Sequence, residues 1–351
     1  MRKKSALMGL CLATIAATGM TAVAPATASV GEAVTIYVDA EAPALGARGA
    51  LGRNGLSRGA AVSSVAEAQE IARARGGRDV TVRLAPGTYA PIDWSYAPKG
   101  GHITITSESG GPAAEDASSA SVINCELDGI AEYGVKLTSA DAGVTIAGLT
   151  IESCRNGGIK ASGTLDVWVE NNLIRYIGSK HVDGTGNEGF GGVHLLNSGR
   201  AHIEGNRFYY LENTGSPAGV HGVYAANNSD GMIVRDNNFG YISGDPIRVR
   251  NGTDAGLVDH NRFWKTGYIA VLSDWRFGSE ICSQGNVFAD NVVGNTTYAN
   301  LRFNIDPTPN GVVPSVRKWG HDAVKPENLG GCSPAPIEFG GGNSYTSTRP
   351  W

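Results

Sequence analysis
Six short apolar runs in the middle of the chain open alike and differ at the one position where chemistry could sit. Gly134-Val135-Lys136, Gly158-Ile159-Lys160, Gly192-Val193-His194, Gly222-Val223-Tyr224, Pro246-Ile247-Arg248 and Tyr268-Ile269-Ala270 all carry Val or Ile in the middle. In extended chain an inward Val or Ile sends the next side chain outward. The outward column then reads Lys136, Lys160, His194, Tyr224, Arg248, Ala270. The residues just before the runs align as Gly191, His221, Asp245 and Gly267. A second outward column, two residues on, carries Ser162, Leu196, Ala226, Arg250 and Leu272.

Lys and Arg are ordinary on a solvated sheet face, so any one of these residues alone means little. Together, in a chain of formal net charge −4, cations in one stripe suit an elongated anionic ligand, and a uronic-acid polysaccharide is the natural candidate. Such a polymer is cleaved by taking the proton at C5 and expelling the C4 oxygen. The reaction needs a cation on the carboxylate, a base, and an acid for the leaving oxygen. Arg248 suits the first role through its planar fork. For the base, Lys160 qualifies if Lys136 lowers its pKa, and His194 qualifies at its ordinary one. Tyr224 could donate to the leaving oxygen, or act as base if Arg248 lowers its pKa. His221 paired with Asp245 could relay a proton or merely hold a loop. Lys136, Arg250, Lys265 and Trp275 are expected to contact substrate. The same first step would serve a C5 epimerase.

A glycoside hydrolase would instead need two carboxyl groups roughly 5 to 9.5 Å apart, for which Asp245, Asp183, Glu188 and Asp274 are the candidates. A non-catalytic glycan-binding or surface protein would use the stripe only to attract polymer. No cofactor is required. Asp183, Asn187 and Glu188, in the loop Lys180–Phe190, could bind Ca²⁺, although their spacing matches no defined calcium loop.

The elements that must position these side chains repeat. Ala201–Phe208, Met232–Phe239 and Leu257–Phe263 share an apolar residue, two polar residues, Asn, one variable residue and Phe; Val169–Ile174, Ser283–Phe288 and, more weakly, Ile146–Ile151 fit the same template. Taking Asn172, Asn206, Asn237, Asn261 and Asn286 as phase markers gives steps of 34, 31, 24 and 25 residues. Short strands repeating at this period predict a parallel β-solenoid, in which stacked coils bury the apolar face that one coil cannot. Asn at the bend tolerates left-handed backbone and can bond from coil to coil.

Arg2, Lys3 and Lys4, an apolar run from Ala6 to Ala24 and Ala26-Thr27-Ala28 read as a secretory signal peptide over residues 1–28. Its removal leaves a charge of −7, which argues against nucleic acid. No later stretch is apolar enough to span a bilayer, so the expectation is a secreted, soluble monomer. With 49 Gly and 18% charged residues, the composition fits a β-rich chain with many tight turns. Cys125, Cys154, Cys282 and Cys332 remain after cleavage. Cys282 with Cys332 would fasten the tail, and Cys125 and Cys154 either pair between coils or stay as buried thiols.

Near the amino terminus, Val34–Ala40 reads as a strand. Ser63–Arg75 reads as an amphipathic helix with Val65, Ala68 and Ile71 on one face, suited to cover the first coil. The strand at Tyr37-Val38-Asp39, this Ala-rich helix and the turn Val82-Arg83-Leu84-Ala85-Pro86-Gly87-Thr88-Tyr89, leading into Asn-punctuated coils, resemble the right-handed parallel β-helix proteins that act on carbohydrates. The resemblance spans Thr35 to Phe288. It implies an all-β fold, a single-stranded right-handed parallel β-helix with an N-terminal helical cap, and an activity of polysaccharide-lyase type. Hydrolases, epimerases and phage tailspikes share that scaffold. Against the polygalacturonase type, Val220-His221-Gly222 and Ile247-Arg248-Val249 match Gly-His-Gly and Arg-Ile-Lys only in part, and its three-Asp cluster has no counterpart. Hydrolysis therefore ranks second. The expected organisation is cap and first coils over 29–120, the β-helix core with its groove over 121–290, and a Pro- and Gly-rich tail over 291–351 packing on the helix.

Overall fold
Residues with inward Val, Ile or Phe at every second position cannot be satisfied by one turn of chain, so each turn stacks on the last. The computed structural model describes residues 33–47, 52–111, 113, 119–127, 129–138, 142–183, 189–267, 271–276, 280–294, 316–320 and 337–351, with 275–276, 316–320, 339 and 345 described by main chain alone. The signal segment, Ala270 and Cys332 lie outside the described residues. Each coil gives one short strand to each of three parallel sheets. Sheet I has 10 strands, from Val34–Val38 to Ile337–Phe339; sheet II has 8, from Ile92–Trp94 to Val316–Gly320; sheet III has 9, from Gly87–Tyr89 to Ser344–Tyr345. The interior of this parallel β-helix is a column of fully buried residues on sheet II, Val135, Ile159, Val193, Val223, Ile247 and Leu272, facing a stack of Phe208, Phe239 and Phe263 with centroids 4.8 and 5.0 Å apart. Each such side chain contributes about 1.5–3 kcal/mol by leaving water.

The Asn ladder is present, with two departures from expectation. Asn172, Asn206, Asn237 and Asn261 are fully buried; Asn206, Asn237 and Asn261 each accept main-chain and side-chain N–H bonds from the Asn one coil before at 2.9–3.1 Å, and Asn172 accepts the Leu149 main-chain N–H at 3.0 Å. The next rung is Asn291, not Asn286, and Asn343 follows it. Asn286 belongs to sheet I, where Leu257 pairs with Val287 and Val258 with Phe288. Phe288 had mimicked the Phe of the template, but it fills the core from another wall. The left-handed backbone also falls one residue earlier than predicted, at Asn171, Gly205, Asp236, His260 and Asp290. That residue turns the corner, which frees the Asn behind it to point inward and bond along the stack.

The helix Val65–Arg75 caps the N-terminal end. Ser64 accepts from the Glu67 N–H at its start, and Gly76 ends it at φ 63°. It buries Val65, Ala68, Gln69 and Ala72 against the first coil, while Ile71 is only half-buried. Cys125 and Cys154 form a disulfide between neighbouring coils. Cys282 is also disulfide-bonded. Within the tail, residues 316–320, 337–339 and 344–345 add a last strand to each of the three sheets. No helix among the described residues is long and apolar enough to cross a membrane.

Candidate active site
Sheet II sets the predicted column in register. Lys136 pairs with Lys160, Lys160 with His194, His194 with Tyr224, and Tyr224 with Arg248. The next position is Ser273, because Leu272 takes the inward place expected of Ile269. Asp93 precedes Lys136 at the other end. Ser162, Leu196, Ala226 and Arg250 form the second outward column, as expected, but Leu272 does not extend it.

These two columns border a groove of about 270 Å³ lined by Lys160, Phe190, His194, Tyr224, Arg250 and Glu280 over Leu196 and Ala226. The Tyr133 hydroxyl lies 2.8 Å from His194 Nδ1, and the Lys160 ammonium sits 5.3 Å from the Tyr133 ring centre. Tyr133 leans over its register partner Gly157, where a Cβ would come within 2.8 Å of the ring, so that position has no room for a side chain. Phe190 stacks on the His194 imidazole at 4.6 Å, and Tyr224 meets that imidazole edge-on at 5.1 Å. Arg250 donates from Nη1 to Tyr224 Oη at 2.9 Å while Glu280 grips the same guanidinium.

Arg248 does not take the part predicted for it. Its Nη2 donates to Asp245 Oδ2 at 2.7 Å, Ser273 donates to the same oxygen at 2.8 Å, and Arg248 Nε meets Ser273 Oγ at 3.3 Å. Arg248 is 6% exposed and Asp245 fully buried, so the fork is drawn into the wall by a charge that has no water to solvate it. The cation on Tyr224 is Arg250, from the second column. His221 and Asp245 do not form the expected side-chain pair: His221 Nδ1 donates to the Asp245 main-chain carbonyl at 2.7 Å. Lys265 lies on sheet III, away from the groove, with its ammonium 5.6 Å from the Tyr241 ring. Trp275 lies on sheet II, where its main chain pairs with Trp319. Asp183 is exposed, Asn187 and Glu188 fall outside the described residues, and no group of three metal-binding side chains occurs among the described residues.

Burial, reinforced by the Lys160 ammonium, holds the His194 pKa down to about 3, so the imidazole is neutral. Burial and then Arg248 push His221 the same way. Burial and the nearby Glu132 raise the Tyr133 phenol, which stays protonated. For Arg250, burial opposes the charge, but Glu280 and Tyr224 outweigh it and the pKa rises. Tyr133, Phe190 and Glu280 were not anticipated. Tyr133 shares the phase of Gly191 and His221, so carrying that column back two coils would have found it; Phe190 and Glu280 have no such signal.

A three-sheet coil with a polar column along one wall defines a solenoid that presents an elongated groove. The model for the right-handed β-helix region matches residues 113–293, more than half of the chain, and the chain belongs to that family. No curated protein sequence matches it. Among solved structures it is similar to an alginate lyase from Paenibacillus sp., at 13% identity and TM-score 0.32 over 68% of this chain and 67% of that one. It is similar also to the A-module of a mannuronan C-5 epimerase from Azotobacter vinelandii, at 12% and 0.34 over 77% and 82%. A Streptococcus pneumoniae surface protein and adhesin matches at 12% and 0.36 over 80% and 87%. Likenesses of this size carry no argument about activity.

Proposed function
We propose that the chain is a secreted lyase that cleaves a uronate-containing polysaccharide by β-elimination in the sheet II groove. The observation that carries this is the placement of Lys160, His194 and Tyr224 on consecutive coils of one groove, with Arg250 on the Tyr224 oxygen. Lys160, with Lys136 one coil away, meets the substrate carboxylate. Tyr224, its oxygen accepting from Arg250 Nη1, is the base that takes the C5 proton. The C4–O bond then breaks as the C4–C5 double bond forms, and the proton passes from Tyr224 to the leaving oxygen, so Tyr224 returns to its starting form. Among the described groove residues the carboxylate is Glu280, held by Arg250, which disfavours the paired acids of a hydrolase. The basic, apolar and small-residue start of the sequence supports export.

The test is incubation with pectate, alginate, hyaluronan and chondroitin, followed by ultraviolet absorbance of the unsaturated uronate. New absorbance supports the lyase. Reducing ends without it support a hydrolase, C5 exchange without cleavage an epimerase, and binding without turnover a glycan-binding protein; each of these three rejects the lyase.

A further inference from the structure
His194 is one of the candidates for the base, beside Lys160 and Tyr224, and its surroundings favour another role. His194 is 3% exposed, and its Nε2 is buried with no hydrogen-bond partner among the described residues, although the residue borders the groove. Its other nitrogen has one partner, the Tyr133 hydroxyl. Tyr133 is 2% exposed, and its hydroxyl finds its acceptor in Nδ1 at 2.8 Å. A buried phenol left without an acceptor would lose its solvation with nothing in return, so it donates. A neutral imidazole that accepts at Nδ1 must carry its proton on Nε2. Among the described residues the groups around the ring are Tyr133, Lys160, Tyr224, His221 and Phe190, none of them a carboxylate that would favour imidazolium.

We propose that Tyr133 is a positioning residue that fixes His194 as the Nε2–H tautomer, and that this buried N–H is a donor to the substrate carboxylate as negative charge gathers on it. The role assigned to the substrate rests on the lyase reading above; the tautomer does not. A neutral donor suits the task because it stabilises the enolate-like charge without surrendering a proton, while Lys160 beside it supplies the full charge. Phe190, 39% exposed and stacked on the imidazole, is the cover that a substrate oxygen displaces to reach Nε2.

Histidine-selective ¹⁵N NMR of the full chain tests the first half with no substrate present. His194 is expected as Nε2–H from pH 5 to 9, and Tyr133→Phe is expected to release that preference. An Nδ1–H tautomer in the wild type, or an unchanged tautomer in Tyr133→Phe, overturns the proposal. The second half is tested on whichever polyuronate is cleaved. His194→Gln, whose amide N–H can stand where Nε2–H stood, should keep turnover at least tenfold above His194→Ala, and the latter should lose about 10²–10³-fold in kcat. A Gln variant as inactive as the Ala variant would make His194 a base and reject the donor role. If no polymer is cleaved, the lyase reading and the donor role fall together, and the NMR result still decides the tautomer.

Discussion

Arg248 separates a structural account of the groove wall from a catalytic one. Its guanidinium bonds Asp245 at 2.7 Å, with side-chain exposures of 8% and 1%. Removing one partner of such a buried pair leaves an uncompensated charge and destabilises by about 3–5 kcal/mol. The Ser273 hydroxyl still donates to Asp245 in the variant, so Arg248→Ala is expected near the low end, about 3 kcal/mol, or a little over a hundredfold in the unfolding equilibrium. Denaturant unfolding followed by circular dichroism should show a lower midpoint with an unchanged slope. Arg248→Met with Asp245→Asn removes both charges and keeps the Ser273 bond, so it should regain most of the loss. Turnover of the folded fraction should stay within about threefold in either variant, since only a lost transition-state donor would cost about 10²–10³-fold. An Arg248→Ala protein that unfolds with the wild type but turns over a hundredfold more slowly would refute the reasoning and return Arg248 to the substrate.

The other expectations follow from the same contacts. Asn237→Ala orphans the Asn206 main-chain N–H and the Ile203 carbonyl, at about 1–3 kcal/mol for each buried group, and a loss under about 0.5 kcal/mol by denaturant unfolding would dismiss the ladder as a support. His194 has a folded pKa of about 3, below its unfolded value, so the unfolded chain binds more protons between the two. Its contribution is fully present above about pH 6.5 and is lost as pH falls, at up to about 1.4 kcal/mol per pH unit. Unfolding midpoints at several pH values should show that slope, and His194→Gln should flatten it. Tyr224→Phe should abolish elimination with KM within about threefold, whereas Lys160→Ala should raise KM and weaken its dependence on salt. Persistent turnover in Tyr224→Phe would transfer the proton to another group. Reducing Cys125–Cys154, which closes a separation of 29 residues, should cost about 3–4 kcal/mol; an unchanged midpoint under dithiothreitol would contradict this.

The solenoid was legible because its cause is local: Val or Ile at alternate positions and Asn at a recurring interval are demands that each coil makes on its own strand. Register was legible for the same reason as far as Tyr224 and Arg248, because the alternating pattern restarts in each strand whatever the length of the turn before it. It failed where two candidates satisfied the local pattern. Asn286 and Asn291 are both buried, and Phe288 offered the wrong one a familiar neighbour; only the pairing of Val258 with Phe288 decides between them.

Side-chain allegiance was less legible than side-chain position. Arg248 and Arg250 stand two residues apart on one strand and face the same way, and nothing in their own sequence says which serves the groove. The choice is made by two acids: Asp245, three residues earlier on the same coil, pulls Arg248 into the wall, and Glu280, on the next turn of chain, holds Arg250 beside Tyr224. The same holds for His194, whose residue type suggests a base but whose Nδ1 meets the hydroxyl of a tyrosine 61 residues earlier. A column of chemical side chains can be read from alternation alone, but the proton on each is set by the partner it meets in the fold. In this wall Asp245 acts from the same coil as Arg248, while Glu280 and Tyr133 reach Arg250 and His194 from other coils.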